Sequence, residues 1–95
     1  VPYAVIAEIP GGTVEQYDAM SKAMDLQGKK EKSVGLLVHF AGIGDGTLIV
    51  VDVWESREAY ERHVSRVRSI PSVQEALAAL PAYSHREFEL HNLVD

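Results

Sequence analysis

Two neighbouring runs, GLLVHFAGIG from Gly35 and TLIVVDVWE from Thr47, carry apolar residues on alternating positions and are separated by Asp45-Gly46. Period-two alternation predicts strands. Asp-Gly between them predicts a two-residue hairpin loop, because glycine accepts the positive φ that such a turn demands. With that loop, Gly44 pairs with Thr47, Ala41 with Val50, His39 with Asp52 and Leu37 with Trp54. A four-residue loop over 43–46 would instead pair Gly42 with Thr47. It slips one strand by two residues and keeps the same two faces, since side chains alternate along a strand. One face is then Leu37, His39, Ala41, Val50, Asp52 and Trp54; the other, wholly apolar, is Leu36, Val38, Phe40, Ile49, Val51 and Val53.

The remaining pattern extends outward from this hairpin. Pro2 to Ile9 reads as a first strand closed by Pro10-Gly11-Gly12. Thr13 with Gln16 three residues later forms a capping-box signature, and Val14, Tyr17, Met20 and Met24 fall on one helical face. Gly28 is the expected stop of that helix, and strands over 33–43 and 47–55 follow. Ser56 is an N-cap for a second helix, in which Tyr60, His63, Val64 and Val67 recur at helical spacing. Pro71 forbids continuation and opens a short third helix with Val73, Leu77 and Leu80 on its stripe. The last strand is expected over 82–92, with Tyr83, His85, Glu87, Glu89 and His91 on one face. Neither of its faces is cleanly apolar, which suits an edge strand or one that reaches a partner subunit.

The order β-α-β-β-α-(α)-β is the ferredoxin-like plan, an α+β fold with a four-stranded antiparallel sheet and helices on one face. That plan leaves the other face of the sheet bare. Six apolar residues there exceed what a monomer usually exposes, so a homodimer with two sheets packed face to face is expected.

Composition narrows the function. Ninety-five residues suit one domain over 1–95. No cysteine is present, which removes disulfides, thiolate metal sites and a cysteine nucleophile and suits a cytoplasmic protein. The net charge of −5 argues against nucleic acid as a partner. The one basic cluster, Lys29, Lys30 and Lys32, reads as the solvated exit of a helix. No stretch is long enough to span a bilayer, and the first ten residues lack the basic start of a signal peptide.

Candidate chemistry gathers on the mixed face of the hairpin. His39 titrates in the range of a general base or acid, and a carboxylate opposite it, Asp52, would set its tautomer and raise its basicity. His63 and Tyr60 on the second helix and Tyr17 on the first would join them if the helices pack over that face. Val50, Leu37 and Trp54 would supply apolar walls, Trp54 by stacking. The competing account makes His39–Asp52 a satisfied structural pair and Trp54, His63 and Tyr17 core residues. A metal held by His39, Asp52 and His63 has suitable ligand types but no supporting local spacing.

Ile9-Pro10-Gly11 before the first helix, Val53-Trp54-Glu55-Ser56, and Glu58-Ala59 followed by His63 together give W-E-S-x-E-A-x-x-x-H. In these features the chain resembles the dimeric α+β barrel superfamily and, within it, the antibiotic-biosynthesis-monooxygenase-like branch. The resemblance implies a ligand pocket between sheet and helices in each subunit. It also implies activities ranging from cofactor-free quinone-forming oxygenases and polyketide cyclases to lactone isomerases and haem-degrading enzymes. Two positions depart from it. Quinone-forming members carry an asparagine where Val50 stands. Haem-degrading members carry a second tryptophan where His63 stands and a haem-ligating histidine where Val73 stands. The expected function is cofactor-free acid/base chemistry on an aromatic or polyketide-like small molecule, as a cyclase, isomerase or cofactor-independent monooxygenase. A non-catalytic small-molecule-binding or sensing dimer is the alternative, and a purely structural protein with no cavity is the third class.

Overall fold

The computed structural model describes residues 1–24 and 34–94. The first strand, β1 (Tyr3–Pro10), ends in a turn at Gly11 and leads into helix α1 (Val14–Ala23). The capping box forms: the Gln16 amide donates to Thr13 Oγ1 at 3.1 Å, and the Thr13 amide donates to Gln16 Oε1 at 3.0 Å. Gln16 Nε2 also donates to the Ala79 carbonyl at 3.2 Å, tying the start of α1 to the end of a later helix. Gly28 and the three lysines lie outside the described residues.

The hairpin β2 (Leu36–Gly44) and β3 (Thr47–Trp54) turns on Asp45 and Gly46, at φ 52° and 73°. Two consecutive positive φ values make the tight mirror-image turn that matches strand twist. The two-residue register follows, with Gly44 on Thr47, Ala41 on Val50 and His39 on Asp52. The expected pairing of Leu37 with Trp54 does not form. A bulge between Leu36 and Val38 puts Leu36 opposite Trp54 and leaves Leu37 about half exposed, at 48%. Leu36 therefore joins the core of Tyr3, Val5, Trp54 and Ala59 instead of the apolar outer face. The cause sits one residue earlier. Gly35 has φ +90°, and a Cβ there would meet the Ala59 Cβ at 2.8 Å, so the chain enters β2 pressed against the following helix.

Helix α2 (Arg57–Arg68) is capped by Ser56, whose Oγ accepts from the Ala59 amide at 3.1 Å. Helix α3 (Pro71–Ala78) starts on its proline. The last strand, β4, covers only Ser84–Glu89. Its partner sets that length: Glu89 faces Tyr3 and Ser84 faces Glu8, so β4 ends where β1 begins.

The sheet order is β2-β3-β1-β4, all antiparallel, which is the ferredoxin-like α+β arrangement with β4 at an edge. The helices cover one face. On the other, Val38, Val53, Ala4 and Phe88 form one cross-strand row and Phe40, Val51, Ile6 and Arg86 the next. Phe40 is 57% exposed there. No helix among the described residues is long and apolar enough to cross a membrane.

Candidate functional site

A cavity of about 190 Å³ lies between the helix-covered face of the sheet and the three helices. Its floor exists because the sheet is lined there by small residues. One cross-strand row reads His39, Asp52, Val5, Glu87, and the next reads Ala41, Val50, Ala7, His85. Val5, Ala7 and Val50 floor the middle, with polar groups at both sides. Met20 of α1, Met24 at its C-cap, and Val64 and Val67 of α2 contribute apolar roof.

At the β2 side His39 holds two partners at once. Its Nδ1 bonds the Asp52 carboxylate, and its Nε2 lies 2.5 Å from the Tyr17 hydroxyl. The rings of Tyr17 and His39 lie nearly parallel, with centroids 6.0 Å apart. Both Asp52 and His39 are about three-quarters buried. The bond to Asp52 raises the His39 pKa above its usual value, against a smaller opposing effect of burial. In the neutral imidazole, Nδ1–H donates to Asp52 and the Nε2 lone pair accepts the Tyr17 O–H. In the imidazolium, both nitrogens donate. Burial, and then the negative charge of Asp52, hold the Tyr17 hydroxyl above its ordinary pKa, so it stays protonated until a base draws on it.

His63 hangs from α2 over the same cavity. Its ring packs on the Trp54 indole at 4.7 Å between centroids, and its Nδ1 accepts from Arg66 Nη2 at 3.1 Å. Burial, then the Arg66 charge, lower its pKa, leaving a neutral ring with its proton on Nε2. Tyr60 also lines the cavity, and burial followed by the charge of Glu87 pushes its hydroxyl up to about 12.

The cavity thus brings together five of the expected residues, His39, Asp52, Tyr17, His63 and Tyr60, with Val50 in the floor. Two expected wall residues are elsewhere. Leu37 is carried out to solvent by the bulge. Trp54 is 1% exposed and lies beneath His63 and Tyr60, buttressing them without reaching the cavity surface. Its indole Nε1–H has no partner among the described residues. Among those residues no three His, Asp or Glu side chains converge as a metal-ligand set.

The sequence places His85 and Glu87 on one face of the last strand without assigning them to the cavity. Glu87 accepts from the Tyr3 hydroxyl at 2.8 Å, from His85 Nε2 at 2.9 Å and from the Tyr60 hydroxyl at 3.4 Å. These bonds outweigh the opposing effect of partial burial and hold its carboxyl below the ordinary range. His85 lines the cavity beside it. The i, i+2 spacing of His85 and Glu87 was the available signal, since it places both on one strand face.

No family model matches the chain, and no curated protein sequence matches it. Solved structures do match it in fold. SnoaB, a cofactor-independent oxygenase from Streptomyces nogalater solved as a mutant, superposes with a TM-score of 0.74 at 15% identity over 98% of this chain and 96% of its own. A monooxygenase from the gene ActVA-Orf6 of Streptomyces coelicolor, in complex with Nanaomycin D, gives 0.67 at 17% identity over 99% and 91%. A dimeric ferredoxin-like protein from an uncultured marine organism gives 0.67 at 9% identity over 99% and 92%. The chain therefore shares its ferredoxin-like fold with these proteins.

Proposed function

We propose that the chain is a cofactor-independent monooxygenase that deprotonates a small hydroxyaromatic substrate in this cavity and lets dioxygen attack the resulting anion. The observation that carries it is the relay Asp52–His39–Tyr17 set over the apolar floor of a cavity between sheet and helices. Asp52 fixes the proton on Nδ1 and leaves Nε2 as the base; the substrate hydroxyl either hydrogen-bonds Tyr17 or takes its place on Nε2. The anion delocalises onto a ring carbon, where dioxygen binds. One oxygen atom stays as a new carbonyl and the other leaves as water. The ring supplies all four electrons in passing from phenol to quinone, so no further reductant is needed. The oxygenase names of the fold neighbours support this reading. The second copy belongs to the same proposal. Phe40 and its apolar neighbours on the bare sheet face suit a homodimer, supported by the dimeric fold neighbour. Light scattering is expected to give twice the 10.5 kDa of one chain, and a monomer at micromolar concentration would remove this part.

The test is His39→Gln assayed by oxygen uptake with one- and two-ring phenols. Removing the base is expected to lower kcat by about 10²–10⁴-fold with the fold intact by circular dichroism. Undiminished turnover in the folded variant refutes the proposal. Non-catalytic binding is the competing reading, favoured by Val50 where the quinone-forming branch carries asparagine; it predicts binding without turnover in the wild type.

A further inference from the structure

The relay occupies only one end of the cavity, and the other end is also polar. His39 stands on β2 at one edge of the sheet and His85 on β4 at the opposite edge, with Val50, Val5 and Ala7 of β3 and β1 between them. Each histidine is tied to a carboxylate, His39 to Asp52 and His85 to Glu87. The second pair is itself anchored, because Glu87 also accepts from Tyr3, whose ring is buried in the core. Since His85 uses Nε2 on Glu87, its Nδ1 remains for a ligand.

The cavity sets the ligand. His85 stands three strands across from His39 and one cross-strand row further along, with Val50, Val5 and Ala7 as the apolar floor between them. A flat apolar body with an oxygen function at each end matches that floor and its two polar ends. The cavity volume agrees, for 190 Å³ lies below the roughly 300–1,000 Å³ of sites for drug-sized ligands.

We propose that the cavity selects a two-ring aromatic with an oxygen function at each end, one read by Tyr17 and His39 and the other by His85 held on Glu87. The inference rests on the proposed function, of which it names the substrate class. His85 is in this view a specificity residue that binds the unreacting end. Ala7 keeps the passage between the two ends open.

The test measures affinities of 2,6-dihydroxynaphthalene and 2-naphthol by calorimetry. In the wild type the second hydroxyl is expected to tighten binding about tenfold, and in His85→Leu that advantage is expected to vanish while 2-naphthol binds unchanged. Circular dichroism checks the fold of the variant. Ala7→Leu, which fills the floor beside His85, is expected to weaken both ligands. Equal affinity of the two naphthols in the wild type, or a tenfold preference that survives in His85→Leu, overturns the inference while leaving the base reading standing. Failure of both naphthols to bind the wild type overturns the inference and the aromatic substrate class together.

Discussion

His39 and His63 line the same cavity from opposite sides and are pushed in opposite directions. His39 rises from the sheet with a carboxylate on one nitrogen and a phenol on the other, and Asp52 raises its pKa. His63 descends from α2 onto an indole face with a guanidinium at its Nδ1, and burial and that cation lower its pKa. The residue type is identical, so the difference comes wholly from what each ring touches. A site in which two titratable groups are driven apart has its acid and base roles divided. His39 is the group that can take and keep a proton. His63 stays neutral and offers an N–H, suited to hold a ligand oxygen without exchanging protons with it.

Removing what distinguishes His39 is the largest expected break in this contrast. Asp52→Asn deletes the charge that raises the His39 pKa and leaves only the opposing effect of burial. The titration midpoint of His39, followed by NMR of the ring protons, is expected to fall below that of the wild type. The amide can also donate to Nδ1, which shifts the ring proton to Nε2 and removes the base from the side facing Tyr17. Turnover is expected to drop by about 10²–10³-fold. An unmoved His39 midpoint would mean that the contact with Asp52 is not made in solution, and wild-type turnover in the variant would remove Asp52 from the proposed relay.

The contrast also marks how far the residues could be read before folding. Asp45-Gly46 pointed to the two-residue loop while a four-residue loop stayed open, and it is the two-residue register that brings His39 onto Asp52. Tyr17 and His63 followed from helical periodicity once the helices were laid over one sheet face. The rise of the His39 pKa followed from its pairing with Asp52, but the fall of the His63 pKa could not follow, because the Arg66 and Trp54 contacts of His63 depend on how α2 rolls against the sheet. Leu37 was misplaced for a backbone reason: a bulge leaves no trace in an apolar/polar pattern, since Leu36 and Leu37 are interchangeable by composition. Trp54 keeps the expected face but is buried beneath His63 and Tyr60. Glu87 and His85 were passed over because β4 alternates without a clean apolar face. The partner that anchors Glu87, Tyr3, is 84 positions away in the chain.

The smallest expected effect is on stability, where the two histidines act on opposite flanks of pH. His39 has a folded pKa above its unfolded value of about 6.5. Its contribution is therefore fully present below about pH 6.5 and lost as pH rises through the folded value. His63 has a folded pKa below about 6.5. Its unfolded form takes a proton that the folded form refuses, so stability falls as pH drops from about 6.5 through the folded value. Urea midpoints across this range are expected to show two separable changes. Asp52→Asn should flatten the loss on the alkaline flank. Arg66→Gln, which removes the lesser of the two causes acting on His63, should soften the loss on the acid flank by a smaller amount. Carboxylates elsewhere contribute equally to wild type and Arg66→Gln, so the difference between those two curves isolates His63. A curve for Arg66→Gln that parallels the wild type down to about pH 5 would show that burial against Trp54 alone sets His63 apart from His39.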